Sequence, residues 1–339
     1  METLLQRLRN AGALAKLVGS APAFVEAISQ LPAVSKSEAA VMIRGETGTG
    51  KELVARAIHY MSDRAAHPFV ALNCGSLPDS LLEDELFGHE RGAFTGAHAR
   101  RDGLIAQAKN GTLFLDEVDT LSQRAQVDLL RVLQDRRFRP IGSTAEREAD
   151  IRVVAATNAP LDQLIRATNF RSDLYYRLCI FTINLPALRE RKEDVLMLAT
   201  HFLHKHALQD KPGLKLSAEA CAALLAWDWP GNVRELENVM LRAIHLCRTD
   251  SIEVANLGLQ TLCSLSPDAA DCAGRESSFS VAKRRAIALF EKEYLTRLMA
   301  QQEGNISQAA RVAGKDRSDI GKLLKKHRLD AKLFRQPVS

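Results

Sequence analysis

The chain has 339 residues, of which 46% are hydrophobic and 26% are charged, as in ordinary globular domains. No stretch approaches the roughly 20 apolar residues that a membrane-spanning helix needs, so a membrane span is excluded. Arg7, Arg9 and Lys16 interrupt the apolar residues of the N-terminus, which excludes a typical signal peptide. The six cysteines include no C-x-x-C pair, which excludes a disulfide framework and predicts reduced thiols in a cytoplasmic protein.

The net charge of +5 is unevenly distributed along the chain. Residues 280–339 carry 14 Lys and Arg against 6 Asp and Glu, a net charge of +8, whereas the remaining residues carry a net charge of −3. A compact basic segment is the electrostatic footprint of a protein that binds the nucleic-acid backbone. On charge alone, a basic tail that is only a solvated surface stays the alternative.

Short apolar runs alternate with helical patterns between residues 39 and 185. Several runs are continuously hydrophobic, which is typical of strands buried on both faces of a parallel sheet. The intervening segments are long enough for crossover helices, so the pattern predicts a doubly wound α/β fold. We predict strands at residues 41–43, 69–72, 112–115, 151–155 and 181–185, and crossover helices at residues 52–61 and 121–134.

Only helical periodicity is present from residue 190 to residue 258, for example at residues 194–206 and 218–226. A stretch rich in Ser, Ala, Asp and Gly follows and lacks periodicity, which predicts a linker. We therefore predict a short extension at residues 1–17, an α/β subdomain at 18–190, a helical subdomain at 191–258, a linker at 259–279 and a separate all-α domain at 280–339.

A glycine-rich loop lies directly after the first predicted strand and directly before a helix. Its glycines let backbone N–H groups turn around a phosphate, and Lys51 supplies a charge for the β- and γ-phosphates. This setting predicts ATP and Mg²⁺ as cofactors. Position 52 is a glutamate, without the hydroxyl that usually ligates the metal, so Mg²⁺ has to be held through waters and a second acidic motif. The predicted nucleotide-binding residues are Gly45, Glu46, Thr47, Gly48, Thr49, Gly50, Lys51 and Glu52.

Two carboxylates follow the strand predicted at residues 112–115, at the edge where open α/β sheets bind ligands. We expect Asp116 to hold the Mg²⁺ shell, through water, and Glu117 to polarise the attacking water. A strand that merely ends in acidic turn residues is common in isolation, but 65 residues after Lys51 it points to catalysis.

Three further polar residues are candidates for the same reaction. Asn158 follows the strand predicted at residues 151–155 and is suited to sense the γ-phosphate by hydrogen bonding. Arg171 and Arg177 lie away from the glycine-rich loop and are candidates for charge stabilisation in trans, as arginine fingers. On chemistry alone, a surface salt bridge is the alternative for each residue.

Residues 304–328 predict two short helices joined by a turn. Asn305 is suited to cap the first helix, and Asp316 the second. This pattern is a helix-turn-helix with the second helix reading DNA, and a generic helical hairpin is the alternative. Gly321 is unusual inside the second helix and costs about 1 kcal/mol relative to Ala. The predicted DNA-binding residues are Arg317, Ser318, Asp319, Lys322, Lys325 and Lys326.

Six motifs together resemble one family, the AAA+ activators of sigma-54 RNA polymerase, also called bacterial enhancer-binding proteins. The motifs occur in the family's order, and the glutamate at position 52 is normal for it. The resemblance implies an AAA+ P-loop ATPase with a helical lid and a helix-turn-helix domain similar to that of the nucleoid protein Fis. The motifs are GETGTGKE (45–52), LFGHERGAFTGA (86–97), GTLFLDE (111–117), ATN (156–158), FRSDLYYRL (170–178) and WPGNVREL (229–236).

The resemblance also implies roles for individual residues. Asn73 looks like the residue that holds Glu117 until the nucleotide is correctly placed. Arg171 and Arg177 look like fingers that reach a neighbouring subunit, which implies a ring, usually a hexamer. Arg234 looks like the lid arginine that touches the nucleotide. The residues that would contact sigma-54, with an exposed aromatic at the tip, are Gly92, Ala93, Phe94, Thr95, Gly96 and Ala97.

The resemblance implies partners and a function as well. ATP hydrolysis would remodel the sigma-54 closed complex to permit promoter opening, and a helical pair at residues 282–299 would form a dimer on double-stranded DNA upstream of promoters. Because the ATPase begins near residue 18, we expect no N-terminal receiver domain and a separate regulatory protein acting in trans.

The sequence leaves two alternative functions and one alternative site, a histidine metal site. A DNA-binding regulator that acts through an ordinary sigma factor is disfavoured by the intact loop at residues 92–97. A AAA+ remodeller of another kind, such as a helicase loader or an unfoldase, is disfavoured by the helix-turn-helix. His201, His204 and His206 are better explained as a solvated helix face than as a metal site.

Overall fold

The computed structural model describes residues 17–206, 213–259, 305–313 and 317–326, together with residues 295, 298, 299 and 302. The chain divides into two compact units, Met1–Ser264 and Leu265–Ser339, and each is described by itself. None of the helices in these described ranges is long and apolar enough to cross a membrane.

The first unit contains short strands and helices in alternation. Its strands are β1 (Val41–Arg44), β2 (Phe69–Asn73), β3 (Gly88–His89), β4 (Arg101–Asp102), β5 (Thr112–Asp116), β6 (Arg137–Phe138), β7 (Arg147–Glu148), β8 (Arg152–Thr157), β9 (Phe181–Asn184), β10 (Lys215–Leu216) and β11 (Ser251–Ile252). Its helices are α1 (Pro22–Ser29), α2 (Leu31–Ser35), α3 (Lys51–Tyr60), α4 (Asp79–Phe87), α5 (Leu104–Gln107), α6 (Gln123–Asp135), α7 (Leu161–Arg166), α8 (Ser172–Leu178), α9 (Glu193–Lys205), α10 (Ala218–Ala226), α11 (Asn232–Leu246) and α12 (Val254–Leu257).

The central sheet has five parallel strands in the order β2-β5-β8-β1-β9. All five predicted strands are confirmed to within one or two residues, as are the crossover helices α3 and α6. The chain passes from β1 to the far edge at β2 and returns, so the strand order reverses beside β1. Open α/β sheets bind ligands at the carboxyl ends of the strands at such a point.

Hydrophobic cores cover both faces of this sheet. Along β5, Leu113 and Leu115 pack into one core with α4, α6 and α8, whereas Phe114 packs into the other with α1, α2 and α3. All three side chains are essentially fully buried. Burial on both faces explains why the runs read as continuously hydrophobic rather than alternating.

Two antiparallel pairs of two-residue strands extend from the α/β subdomain, β3 with β4 and β6 with β7. The sequence did not predict them, because two residues are too few to show a strand periodicity. Gly103 permits a close crossing at the first pair, since a Cβ there would collide with the backbone of Gly88. Ile141, between β6 and β7, donates its N–H to the Gly88 carbonyl at 2.8 Å, which joins the two pairs.

The helical lid packs α9, α10, α11 and α12 around a core that includes Trp229. The Trp229 side chain is fully buried, and its Nε1–H donates to the Leu224 carbonyl at 3.0 Å. The lid also contains a parallel pair of short strands, β10 and β11, where only helical structure was predicted. These strands are again too short to leave a sequence pattern.

A buried carboxylate joins the lid to the start of the described chain. Asp194 Oδ1 accepts hydrogen bonds from the N–H groups of Ser20 at 2.6 Å and Ala21 at 2.9 Å. Asp194 Oδ2 lies 4.0 Å from the buried guanidinium of Arg191, which also donates to the Thr49 carbonyl at 3.3 Å. Burial lowers the pKa of Arg191, and the nearby Asp194 charge raises it.

We predict that Asp194→Ala lowers the free energy of unfolding by about 3–5 kcal/mol, because it leaves Arg191 buried without its charge partner. Urea denaturation measures the change. The control is Asp128→Ala, which removes a more exposed pair with Arg131, 3.7 Å away, and should cost no more than about 1 kcal/mol. Equal losses in the two variants would contradict the assignment of Asp194 as a buried joint.

The described part of the second unit contains helices α13 (Ile306–Val312) and α14 (Arg317–Lys326). Asn305 caps α13 as predicted, its Oδ1 accepting from the N–H groups of Ser307 and Gln308. A small core joins the two helices to Leu295, Leu298 and Met299. Its other buried members are Ala309, Ala310, Ile320 and Leu324. The predicted cap at Asp316 and most of the predicted pair at residues 282–299 lie outside the described residues.

Candidate active site

The loop between β1 and α3 folds tightly around its own backbone. Gly48 and Gly50 have φ angles of 81° and 102°, which favour glycine. The Lys51 ammonium donates to the carbonyl oxygens of Gly45 at 3.0 Å and Glu46 at 3.2 Å. The loop is therefore a ring of backbone groups around a buried lysine, at the N-terminus of α3, which is a ready-made site for phosphate.

The two predicted catalytic carboxylates lie at the carboxyl end of β5. Burial raises the pKa of Asp116, and the positive charge of Lys51 lowers it. In turn, burial lowers the pKa of Lys51, and the charges of Asp116 and Glu117 raise it. Glu117 has a φ of 54°, a conformation uncommon outside glycine, and a Cβ at Gly75 on the neighbouring strand end would collide with its carboxylate.

Asn73 ends β2 directly opposite Asp116 in the parallel register. Its Oδ1 is buried and finds no hydrogen-bond partner among the described residues. No hydrogen bond joins the Asn73 and Glu117 side chains in the described structure. Because buried polar atoms in folded proteins are nearly always paired, this Oδ1 at the cavity wall is a candidate to bind a group that enters the cavity.

Backbone hydrogen bonds connect the phosphate-binding loop to the lid. The Gly48 carbonyl accepts from the N–H groups of Val233 at 3.0 Å and Arg234 at 3.3 Å, in the first turn of α11. The contact is tight, because a Cβ on Gly48 would collide with the Gly231 carbonyl. Arg234, the predicted lid arginine, therefore lies next to the phosphate-binding loop.

Two residues of this contact were not predicted as site residues. Asn232 is fully buried, donates its Nδ2–H to the Thr47 carbonyl at 3.1 Å and accepts from the Leu188 N–H at 2.7 Å. Arg189 forms a two-pronged ion pair with Glu46, which lowers the pKa of Glu46. Asn232 could have been predicted as a site residue from its position in the motif WPGNVREL. Nothing in the sequence indicated that Arg189 pairs with Glu46.

A cavity of about 830 Å³ lies between the carboxyl edge of the sheet and the lid. It brings together most of the predicted site, and the lid closes it with apolar and aromatic side chains. The predicted residues that line it are Thr47, Gly48, Gly50, Lys51, Glu52, Asn73, Asp116, Glu117 and Arg234, and the residues that the sequence did not predict include Val18, Leu198, His201 and Phe202.

His201 is partly buried in this wall, whereas the sequence predicted a solvated helix face. Burial lowers the pKa of His201. Among the described residues no group of histidine, cysteine and acidic side chains could hold a metal ion. The Glu237 carboxylate lies 3.1 Å from His206 Nε2 and 2.6 Å from Lys205 Nζ.

The remaining predicted catalytic residues are placed outside the cavity lining. Asn158 donates its Nδ2–H to the Thr47 hydroxyl at 3.1 Å, so it holds the tip of the phosphate-binding loop. Arg171 lies on the surface in an ion pair with Asp173 at 2.6 Å. Arg177 is exposed and makes no ion pair with any described residue. Neither arginine faces the cavity of its own chain.

The loop at residues 92–97 projects from the β3–β4 pair. Gly92 donates its N–H to the Ala97 carbonyl at 2.9 Å, which closes the loop into a tight turn. The Phe94 side chain at its tip is 46% exposed, although Ala97 is buried. An exposed aromatic ring on a structured turn is a surface that suits contact with another protein.

In the second unit, two of the predicted DNA-binding side chains are described. Asp319 and Lys322 are both exposed and lie 3.6 Å apart on α14. Arg317, Ser318, Lys325 and Lys326 lie on the same helix, and their side chains are outside the described part of the chain.

Comparison with known proteins agrees with this geometry. A family model described as the Sigma-54 interaction domain matches residues 17–184, and one described as the AAA+ ATPase lid domain matches residues 189–269. The transcriptional regulatory protein GlrR of Escherichia coli K12 is 41% identical over 321 residues, which are 94% of this chain and 70% of GlrR. ZraR of the same strain is 42% identical over 305 residues, which are 90% of this chain and 67% of ZraR.

The chain belongs to the family of sigma-54-dependent transcriptional regulators. A solved structure of NtrX from Brucella abortus in complex with ADP has a TM-score of 0.72 and 33% identity, and the match covers 96% of this chain and 72% of that one. NtrX in complex with ATP has a TM-score of 0.71 and the same identity. The AAA+ fold and the ATPase activity predicted from the sequence are therefore confirmed for this member of the family.

We predict that Gly48→Ala weakens ATP binding at least about tenfold, because its Cβ meets the Gly231 carbonyl and separates the loop from the lid. The control is Gly213→Ala, outside the cavity, which also has a left-handed φ (96°) and no atom within 4 Å of the added Cβ, so only the backbone cost of about 1–2 kcal/mol in stability applies. Calorimetric titration with a slowly hydrolysed ATP analogue measures both. The prediction is wrong if the two variants bind equally well.

Proposed function

We propose that the chain hydrolyses ATP in the cavity between sheet and lid and thereby remodels the sigma-54 closed complex so that the promoter opens. The supporting observation is a direct path from the cavity to the exposed loop. The chain leaves the cavity wall at Asn73, makes the short turn Cys74–Ser76, and runs through α4 into β3 and the loop. A displacement of Asn73 would therefore be transmitted to Phe94 through a single nine-residue helix, α4.

The catalytic roles follow from the placement of the carboxylates. Asp116 is the hard oxygen ligand that suits Mg²⁺, which usually takes one or two carboxylates besides the phosphates and waters. Glu117 orients the attacking water, and Lys51 neutralises the charge of the phosphates. Asn73, whose buried Oδ1 lies beside these carboxylates, holds Glu117 before the nucleotide is correctly placed.

The active assembly is a ring, in our proposal a hexamer. Arg171 and Arg177 support this, because they are exposed and face away from the cavity of their own chain. In a closed ring with head-to-tail contacts, one subunit's arginines meet the nucleotide of the next. Arg234 contacts the nucleotide from within the same chain, since it lines the cavity.

The second unit binds double-stranded DNA upstream of promoters, as a dimer, with α14 as the recognition helix. The capped helix α13, the shared core and the exposed Lys322 support a helix-turn-helix. The basic excess of residues 280–339 supplies attraction to the phosphate backbone. A cytoplasmic location and a separate regulatory protein in trans stay predictions from the sequence.

We predict that Phe94→Ala leaves ATP hydrolysis within about twofold of wild type and reduces open-complex formation at a sigma-54 promoter at least tenfold. The ring is exposed, so its loss costs little stability, and it is the contact surface itself that is lost. Purified protein is assayed for phosphate release and promoter opening in parallel.

The matched control is Leu81→Ala, which removes a side chain of similar exposure, 54%, from α4 outside the loop and should behave as wild type. A Phe94 variant that opens the promoter normally would contradict the loop assignment. Hydrolysis by wild type without promoter opening would instead favour a regulator that acts through another sigma factor.

We predict that Arg177→Ala lowers the rate of ATP hydrolysis about 10³-fold or more, and that mixing it with Lys51→Ala restores activity. In mixed rings the Lys51 variant donates an intact arginine to the intact site of its neighbour. Random mixing in equal amounts should recover about a quarter of wild-type activity. Activity that stays at the level of the separate variants would contradict the finger in trans.

A further inference from the structure

A histidine side chain closes the base of the exposed loop. His89, in β3, is largely buried, and its Nε2 lies 3.0 Å from the carbonyl oxygen of Ala99, ten residues further along the chain. The loop at residues 92–97 lies between these two positions. The hydrogen bond therefore joins the entry and the exit of the loop, next to the two-residue ladder of β3 and β4.

Both ring nitrogens of His89 face acceptors. The Ala99 carbonyl can only accept, so Nε2 carries a proton. Nδ1 lies 2.5 Å from Asp84 Oδ1 in α4, so a proton lies between these two atoms. Arg101 lies 3.7 Å from the other oxygen of Asp84. The His89 ring is therefore hydrogen-bonded on both sides, to α4 and to the exit of the loop.

The same ring supports the tip of the loop. The centres of the His89 and Phe94 rings are 5.0 Å apart, with 67° between their planes, an edge-to-face arrangement. This is the one ring contact of Phe94 within the described structure. Phe94 is otherwise half exposed, so the position of its ring depends on His89.

Other contacts hold the flanks of the loop but do not reach Phe94. Arg147, from β7, pairs with Glu90 at 2.6 Å and with Asp102 at 2.8 Å. Gly142 lies close against Ala93, since a Cβ on Gly142 would sit 2.7 Å from the Ala93 Cβ. The flanks of the loop are therefore anchored by contacts that do not involve His89, whereas His89 supports the Phe94 ring at the tip.

We propose that His89 is a positioning residue, held between Asp84 and the Ala99 carbonyl by one hydrogen bond at each ring nitrogen, that fixes the Phe94 ring for contact with sigma-54. The proposal rests on the function proposed above. It adds a link from α4, which carries Asp84, to the tip of the loop, so that motion of this helix is transmitted by a side chain as well as by the backbone.

The test is Asp84→Ala beside Glu85→Ala. Both remove one carboxylate from adjacent positions of α4, but only Asp84 touches His89, whereas Glu85 pairs with the exposed Arg101 at 2.7 Å. Without Asp84, Nδ1 of His89 loses its hydrogen-bond partner. We expect Asp84→Ala to weaken the complex with sigma-54, formed with ADP–aluminium fluoride, at least about tenfold with ATP hydrolysis within twofold. Glu85→Ala should match wild type in both assays.

Wild-type sigma-54 binding by Asp84→Ala overturns the proposal, as does an equal loss in Glu85→Ala. A second measurement is made on the wild-type chain. Nitrogen-15 NMR of the histidine-labelled full chain should show Nε2 of His89 protonated, because the Ala99 carbonyl can only accept, with His89→Gln used to assign the signals. An unprotonated Nε2 overturns the proposal. Failure of the proposed function is distinguishable, because wild type itself would then not bind sigma-54 while the NMR result would stand.

Discussion

The Gly48 carbonyl accepts hydrogen bonds from two N–H groups at the start of α11, so the phosphate-binding loop and the lid share a backbone contact. Asn232 reinforces the contact from the lid, and the ion pair of Glu46 with Arg189 borders it. The cavity lies between the α/β subdomain and the lid, because these two subdomains are in direct contact at Gly48. A bound phosphate would touch groups that already hold the lid, which makes lid position and nucleotide occupancy interdependent.

The connection from the cavity to the loop is short and stiff. Asn73 ends β2, an edge strand of the five-stranded sheet, and the helix that follows is buried through Leu82 and Leu86 in the core of the α/β subdomain. A packed helix moves as a body instead of deforming, because protein interiors are close-packed. The two short strand pairs then carry the loop clear of the sheet. The arrangement separates the nucleotide cavity from the exposed loop at residues 92–97.

The sequence predicted the parts of this structure that repeat or that use a specific chemistry. The five strands were predictable because burial on both faces leaves continuous apolar runs, and Leu113 to Leu115 show the reason directly. The phosphate-binding loop, Asp116 and Glu117 were predictable because few residue types can perform their chemistry at that spacing. The cavity confirms that these residues lie together.

Other features could not be predicted, because they depend on contacts between residues distant in the sequence. Asp194 meets the backbone of Ser20 across 174 positions, and no local pattern encodes that contact. The strands β3 and β6 are two residues long, below the length at which alternation is visible. The two hydrogen bonds of His89 likewise need the fold to bring Asp84 and Ala99 to opposite sides of one ring.

The backbone of Glu117 adopts a conformation that costs stability. A non-glycine residue at a φ of 54° carries roughly 1 kcal/mol of strain or more, and here the strain falls on the carboxylate that we propose to be catalytic. Glycine or asparagine at this position would relieve the strain but would lose the carboxylate. At this position, therefore, the proposed activity and the stability of the fold oppose each other.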